Sequence, residues 1–150
     1  MTVRVQFEPF DAAAEARALT AGRTDVGAVV TFVGLCRDEG RALAALELEH
    51  YPGMAEEEIS RVVEEAQTRW PLMGATAIHR FGKIAPGEEI VLVVTASAHR
   101  AAAFAAAEFL MDYLKTRAPF WKKEHLKEGS SGDWVAAKDA DDAAAERWKS

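Results

Sequence analysis

The stretch Ser97–Glu124 reads SAHRAAAFAAAEFLMDYLKTRAPFWKKE and predicts a long helix that ends at a proline. Ser97 is a favourable N-cap, because its hydroxyl can accept from the free backbone N–H groups of a first helical turn. The residue before Pro119 is disfavoured in helical geometry, so the helix is expected to end near Arg117. Beyond the proline, Phe120–Leu126 is expected to be a strand or an extended arm.

Positive side chains gather at both ends of this predicted helix. His99 and Arg100 fall in its first turn, where the helix dipole and the unpaired N–H groups favour an anion. Lys115 lies in the last turn, Lys122 follows the proline, and Met111 lies on the stripe that joins Arg100 to Lys115. For each cation taken alone, a structural role at the edge of the core is the commoner outcome. The cluster as a whole favours a pocket for a phosphate or a carboxylate.

Length and composition limit the number of domains and exclude several function classes. The 150 residues, 49% of them hydrophobic, predict one domain over 1–150 with a substantial core. A net charge of −6 argues against general binding to nucleic acid or to anionic membranes. With a single cysteine, no export signal and no apolar run of membrane-spanning length, the expected compartment is the cytoplasm.

The pattern of apolar residues predicts a mixed fold. Val26–Leu35 and Glu89–Ala96 are near-continuous apolar runs, which are typical of buried central strands. Further strands are predicted over Val3–Phe7, Leu46–Tyr51, Ala75–Phe81 and Asp133–Val135, and further helices after Asp11, around Ile59–Trp70 and over Ala140–Trp148. This order predicts an α+β fold with helices packed on a mainly antiparallel sheet, and it leaves the strand pairing open.

Several kinds of reactive site have no counterpart in the sequence. There is no CxxC, HxxxH or HExxH pattern, no Gly-rich phosphate loop and no GxSxG, so no metal and no cofactor is predicted. Cys36 lacks a recognisable nucleophile setting. Arg37, at the end of a buried strand, either pairs with Asp38 or Glu39 or faces a pocket, and the sequence favours the ion pair slightly.

Four blocks of the chain resemble the large, catalytic subunit of molybdopterin synthase, the MoaE family. They are GAVVTFVGLCR at Gly27–Arg37, LELEHYPGMAEEE at Leu46–Glu58, IHRFGKIAPGEEIVLVVTASAHRAAAF at Ile78–Phe104 and MDYLKTRAPFWKKE at Met111–Glu124. The last block is the most specific of the four. Together with DWV at Asp133–Val135, the blocks cover most of the chain in order.

This resemblance implies a reaction, an assembly and a fold. Members of the family are sulfurtransferases of molybdenum cofactor biosynthesis. They convert cyclic pyranopterin monophosphate (precursor Z) to molybdopterin by inserting two sulfurs. The sulfur arrives as the C-terminal thiocarboxylate of a small ubiquitin-like partner subunit. The implied assembly is a heterotetramer around a homodimer of large subunits, and the implied fold is α+β of hammerhead type with a small additional β portion.

The resemblance also implies roles for individual residues. Lys115 matches the catalytic lysine, and Lys122 matches the second lysine that supports it. The residues that match an anion pocket for the pterin phosphate or the partner's terminus are Arg37, His99 and Arg100, and those that match pocket-lining positions are Phe32, Met111 and Glu124. Whether a site borrows residues from a neighbouring subunit stays open.

The residues taken without the resemblance establish only an anion-binding α+β domain. A second hypothesis is therefore a non-catalytic dimeric module that binds a phosphorylated metabolite. A third is a scaffold that docks a ubiquitin-like protein and does no chemistry. The enzyme hypothesis differs from both in requiring that loss of Lys115 lowers turnover much more than binding.

Overall fold

The computed structural model describes residues 1–38, 40, 42–129, 131–132, 134 and 144–149. The elements in chain order are β1 (Thr2–Gln6), α1 (Ala12–Thr20), β2 (Ala28–Leu35), β3 (Leu43–His50), α2 (Met54–Arg69), β4 (Leu72–Arg80), β5 (Gly82–Ile84), β6 (Glu89–Ser97), α3 (Arg100–Thr116) and β7 (Phe120–Leu126). One sheet has the strand order β1-β4-β6-β2, and a second has the order β5-β3-β7. Only the β1–β4 pairing is parallel among these strands, so the predicted α+β fold with mainly antiparallel pairing is confirmed.

Strand β6 is apolar from Ile90 to Val94 because helices cover both faces of its sheet. Val91 and Val93 belong to the main core cluster, where they meet α2 and α3 around the fully buried Phe109. Leu92 and Val94 point to the opposite face, where they pack near side chains of α1. Since successive strand residues alternate faces, burial on both sides removes the polar alternation that a half-exposed strand would show.

The start of α3 differs from the prediction. Ser97 is not the N-cap but the last residue of β6, where it is paired with Ala28 of β2 and Leu72 of β4. Its hydroxyl donates to the His99 carbonyl oxygen within the connection to the helix. His99 occupies the N-cap position with no side-chain cap bond, and Arg100 is the first helical residue. Sheet pairing therefore prevails over the capping preference, while the His99–Arg100 pair still marks the helix start.

Two other helix boundaries follow the sequence. Asp11 caps α1, since its Oδ1 accepts from the Ala14 N–H at 3.1 Å. Helix α2 ends at Arg69, before Pro71, as predicted.

No helix among the described residues is long and apolar enough to cross a membrane.

Strand β5 was not predicted, and it carries the chain from the first sheet into the second. Gly82 follows β4 with a φ of +89°, a conformation that favours glycine. A Cβ at this position would also lie 2.6 Å from the Phe7 ring. The three residues of β5 then pair with β3. A strand of this length is too short to show a period of two in the sequence.

Part of the C-terminal prediction lies outside the described residues. The short strand expected over Asp133–Val135 is described only at Trp134, and the helix expected over Ala140–Trp148 is described only from residue 144. Residues 144–146 are helical. Trp148 packs edge-on against Trp70 and Phe109, with ring centroids 5.8 and 5.7 Å apart, and so docks this segment on the main core.

Candidate active site

A cavity of about 250 Å³ opens where the end of α3 meets the second sheet. Its floor is apolar and comes from Leu46 and Leu48 of β3 and Ile90 of β6. Its rim follows the chain from Leu114 to Lys122, so it includes the turn after the helix and the start of β7. Three cations line this cavity, Lys115, Arg117 and Lys122, and no carboxylate is found among its described lining residues.

A second cavity, of about 330 Å³, shares part of its wall with the first. The residues common to both cavities are Leu46, Ile90, Lys115 and Lys122. The second cavity adds residues from the loop after β2 and from the middle of β7, among them Cys36, Arg37, Asp38 and Glu124. The two lysines implied as catalytic therefore stand on the boundary between two spaces, each large enough for a small molecule or a peptide tail.

The turn after α3 brings these two lysines together. The helix ends at Thr116, and the Arg117 N–H donates to the Tyr113 carbonyl at 2.7 Å. Pro119 then stops the helix, and the antiparallel pairing of β7 with β3 places Lys122 opposite Leu48. Lys115 is exposed at the end of the helix, whereas Lys122 is half-buried on the strand.

The strand expected over Phe120–Leu126 is observed as β7, and the side chains of Lys122–His125 alternate between its two faces. Lys122 and Glu124 line the cavities. On the other face, the Lys123 ammonium lies 5.1 Å from the centre of the Trp134 ring, and His125 Nε2 lies 2.8 Å from Glu47 Oε1. The contact with His125 lowers the pKa of the Glu47 carboxyl, chiefly through the hydrogen bond. His125 thus ties the outer face of β7 to β3, and the inner face lines the cavities.

Arg37 is exposed and lines the second cavity with both lysines. Asp38, one of its two candidate ion-pair partners, accepts the Leu43 N–H on its Oδ1 at 3.2 Å. Glu39, the other candidate, lies outside the described residues.

Phe32 and Met111 meet in a different place, a groove of about 360 Å³ between β2 and α3. Phe32 is 41% exposed and Phe104 beside it is 62% exposed. Met111 also reaches a small cavity of about 60 Å³ that it shares with Lys115. Met111 therefore lies between the groove and the cavity that Lys115 lines, whereas Phe32 lines only the groove.

His99 and Arg100 lie at the far end of α3 from the lysines. Arg100 precedes Lys115 by 15 residues, which is about 22 Å along an α-helix. Both side chains are exposed, and neither lines a described cavity with Lys115. Within one chain, the sequence-predicted anion residues thus form two groups at opposite ends of one helix.

His79 is a wall residue that the sequence analysis did not single out. It lines the first cavity and the small one, in both cases together with Lys115. Burial is the main reason that its pKa falls to about 4. A lone histidine on a strand gives no sequence signal for this, because its position depends on how the two sheets meet.

Cys36 lines the second cavity but is only 3% exposed. Its Sγ lies 3.9 Å from the Ile84 carbonyl oxygen. Burial raises the pKa of the thiol, and the nearby charges of Glu88, Asp38 and Glu124 raise it further. This environment suits a packed side chain better than a sulfur nucleophile.

Comparison with known proteins places this architecture in a family. The model of the MoaE protein family matches residues 5–117. The chain belongs to the MoaE family. A molybdopterin synthase catalytic subunit from Mesorhizobium japonicum is 71% identical over 149 residues, covering 99% of this chain and 94% of the relative. The family is thus one of molybdopterin synthase catalytic subunits, which are sulfurtransferase enzymes of molybdenum cofactor biosynthesis.

Solved structures share the fold. The molybdopterin biosynthesis MoaE protein from Burkholderia ambifaria superposes with a TM-score of 0.84 at 48% identity, covering 98% of this chain and 97% of its own. A protein–protein complex of subunits 1 and 2 of molybdopterin-converting factor from Helicobacter pylori contains a chain that matches with a TM-score of 0.72. That chain is 20% identical, with 91% of this chain and 90% of its own covered, so it shows the shared fold alone.

The environment of Cys36 predicts low thiol reactivity. Because burial raises its pKa and shields the sulfur, alkylation by iodoacetamide at pH 8 should be at least about 100-fold slower in the native protein than in the unfolded chain. Mass spectrometry over a time course measures both rates. Equal rates would show that the thiol is accessible in the folded protein and would restore it as a candidate nucleophile.

Proposed function

We propose that this chain converts cyclic pyranopterin monophosphate to molybdopterin, with sulfur delivered by the C-terminal thiocarboxylate of a small ubiquitin-like partner. The observation that carries the proposal is the position of Lys115 and Lys122 on the wall common to two cavities. One cavity can hold the pterin while the other admits the partner's tail. The reacting atoms would then meet beside the lysines.

The charges of the site fit these reactants. A cyclic phosphate and a thiocarboxylate are both anions, and each must approach a protein whose net charge is −6. Lys115, Lys122 and Arg117 line the first cavity, and Arg37 joins the two lysines in the second. Cations on a partly apolar wall attract anions more strongly than the same cations fully in water.

Lys115 is proposed as the catalytic residue. In each transfer the thiocarboxylate sulfur forms a C–S bond to a carbon of the pyranopterin, and a C–O bond at that carbon breaks, its oxygen leaving with the phosphate or as water. Water then adds to the acyl carbon of the partner, the acyl C–S bond breaks, and the partner's C-terminus becomes a carboxylate. An ammonium at the junction can stabilise the negative charge on the acyl oxygen as water adds and can donate a proton there. Lys122 supports it by holding a second positive charge at the same wall.

Arg37 and Glu124 are proposed to hold the ligand in the second cavity, and Met111 to close the wall between Lys115 and the neighbouring groove. Phe32 is proposed to line the approach along that groove. The arginine would pair with the phosphate or the thiocarboxylate, for which a guanidinium is well shaped.

His99 and Arg100 are proposed to serve the site of a second copy of the chain. At about 22 Å along the helix from Lys115 they cannot share a small ligand with it in the same chain. Strand β2 is an edge strand of its sheet, and Val29, Phe32 and Leu35 on it are each at least 41% exposed. This apolar edge supports a homodimer at the centre of a heterotetramer with the small subunit.

The reaction is further proposed to take place in the cytoplasm, where a free thiol such as Cys36 stays reduced.

Replacing Lys115 tests the enzyme hypothesis. With a thiocarboxylated small subunit, Lys115→Ala should lower the rate of dithiolene formation by about 100-fold or more, because charge stabilisation and proton transfer are lost together. Its affinity for the small subunit, measured by calorimetry, should stay close to that of the wild type. Lys83→Ala is the matched control, since Lys83 is an exposed lysine on β5 that lines neither of the two cavities.

Parallel losses of ligand binding and turnover in Lys115→Ala would favour the phosphometabolite-binding module instead. Absence of product from the wild type with a competent small subunit would contradict the enzyme hypothesis for this chain.

Mixing two inactive variants tests the contribution of His99 and Arg100 across the dimer. In a mixed dimer of Lys115→Ala with Arg100→Ala, one site keeps an intact Lys115 and receives an intact Arg100. Random exchange should therefore restore roughly a quarter of the wild-type activity. Lys115→Ala mixed with Lys122→Ala is the control, because every site then lacks one lysine. No recovery in the first mixture, with subunit exchange verified by native mass spectrometry, would place Arg100 outside the neighbouring site.

A further inference from the structure

His79 stands beside Lys115 without belonging to any of the cationic groups described above. It lies near the end of β4, where the first sheet approaches the second. It lines the cavity of about 250 Å³ and the adjoining cavity of about 60 Å³, and Lys115 lines both of them as well. The two side chains therefore border the same small spaces.

The His79 ring is held in one orientation by two contacts. It stacks on Phe120 with ring centroids 3.9 Å apart and an interplanar angle of 16°. Its Nδ1 lies 2.8 Å from the Arg80 carbonyl oxygen. A carbonyl oxygen can only accept, so Nδ1 carries the proton of this bond. In the neutral ring, Nε2 then has a free lone pair.

The ring stays neutral over the physiological pH range. Burial lowers the pKa of His79 to about 4, and the charges of Lys115 and His50 lower it further, while the bond to the Arg80 carbonyl opposes the shift. The charged or titratable groups around it are Lys115 from α3, Arg117 from the turn, Lys122 from β7 and His50 from β3. None of these groups would stabilise a protonated His79.

Lys115, in contrast, has no fixed partner within the described part of the chain. No hydrogen bond or ion pair of its ammonium is seen among the described residues, and its side chain is exposed. Lys115, Arg117 and Lys122 are donors only, so none of them can orient another. A long flexible side chain needs an acceptor to hold its charge at a defined point.

We propose that His79 is a positioning residue for Lys115, whose ammonium donates a hydrogen bond to Nε2 of His79 when the site is working. The imidazole orients the ammonium toward the reacting atoms without adding positive charge to the wall. This role rests on the proposed function of Lys115. It adds a group from β4 to a site otherwise built from β2, β3, β6, α3 and β7.

Two amide substitutions distinguish the role of Nδ1 as a donor from the role of Nε2 as an acceptor. His79→Asn can keep a donor near the position of Nδ1 but has no acceptor at the position of Nε2. His79→Gln can place its amide oxygen near Nε2. We expect His79→Asn to lower kcat by about 30-fold with little change in KM, since misplacing a catalytic group has effects of this order. His79→Gln should stay within about threefold of the wild type.

His50→Asn is the matched control. His50 packs on the same Phe120 ring with centroids 5.7 Å apart, and it lines none of the described cavities near Lys115. A purely structural role for His79 predicts that His79→Asn and His79→Gln lower the thermal midpoint and the rate together. Equal impairment of the two variants, or a wild-type rate for His79→Asn, would overturn the proposal.

Nitrogen NMR of the imidazole gives a readout that does not depend on turnover. His79 should show the neutral ring with its proton on Nδ1 from about pH 5 to pH 8. A proton resident on Nε2 within this range would overturn the proposal, because Nε2 would then have no lone pair with which to accept from the ammonium.

Lys115→Ala, measured in parallel, distinguishes a failure of the proposed function from a failure of the positioning role of His79. If Lys115→Ala is inactive and His79→Asn is fully active, the proposed function stands and the positioning role is wrong. If Lys115→Ala is active, the proposed function of Lys115 is wrong and the role of His79 falls with it.

Discussion

Helix α3 cannot continue through Pro119, and the chain that follows it must pair with β3. These two constraints bring the last turn of the helix and the first residues of β7 to one place. Lys115 and Lys122 then share a wall, although they belong to different kinds of element. The cavities, the lysine pair and the contact with His79 all depend on this turn, because each includes at least one residue of it or next to it.

The charge around the first cavity is opposite in sign to the net charge of the chain. The chain carries a net charge of −6, yet the described lining of the first cavity combines three cations with an apolar floor and no carboxylate. An anionic reactant would be repelled by the protein as a whole and attracted at this point, which favours occupation of the site over the rest of the surface. A histidine kept neutral by burial adds an acceptor to the wall without opposing the ammonium beside it.

The sequence predicts most of the elements but only part of the site. Local patterns predict the apolar runs of β2 and β6 and the end of α3 before Pro119. Strand β5 is too short to show a strand pattern in the sequence. Ser97 pairs within the sheet as the last residue of β6, although its side chain favours an N-cap position.

Among the site residues, Lys115 and Lys122 meet because they are close in the chain. The position of His79 beside Lys115 depends on how the two sheets pack, and the separation of Arg100 from the lysines depends on the length of the helix, so neither can be predicted from the sequence.

The most direct measurement is a crystal structure of the protein with cyclic pyranopterin monophosphate. The expected density lies in the cavities bordered by Lys115 and Lys122, with a ligand oxygen within about 3.2 Å of at least one ammonium. Density confined to the groove of Phe32 and Phe104, with neither lysine in contact, would contradict the assignment of the lysine wall as the active site.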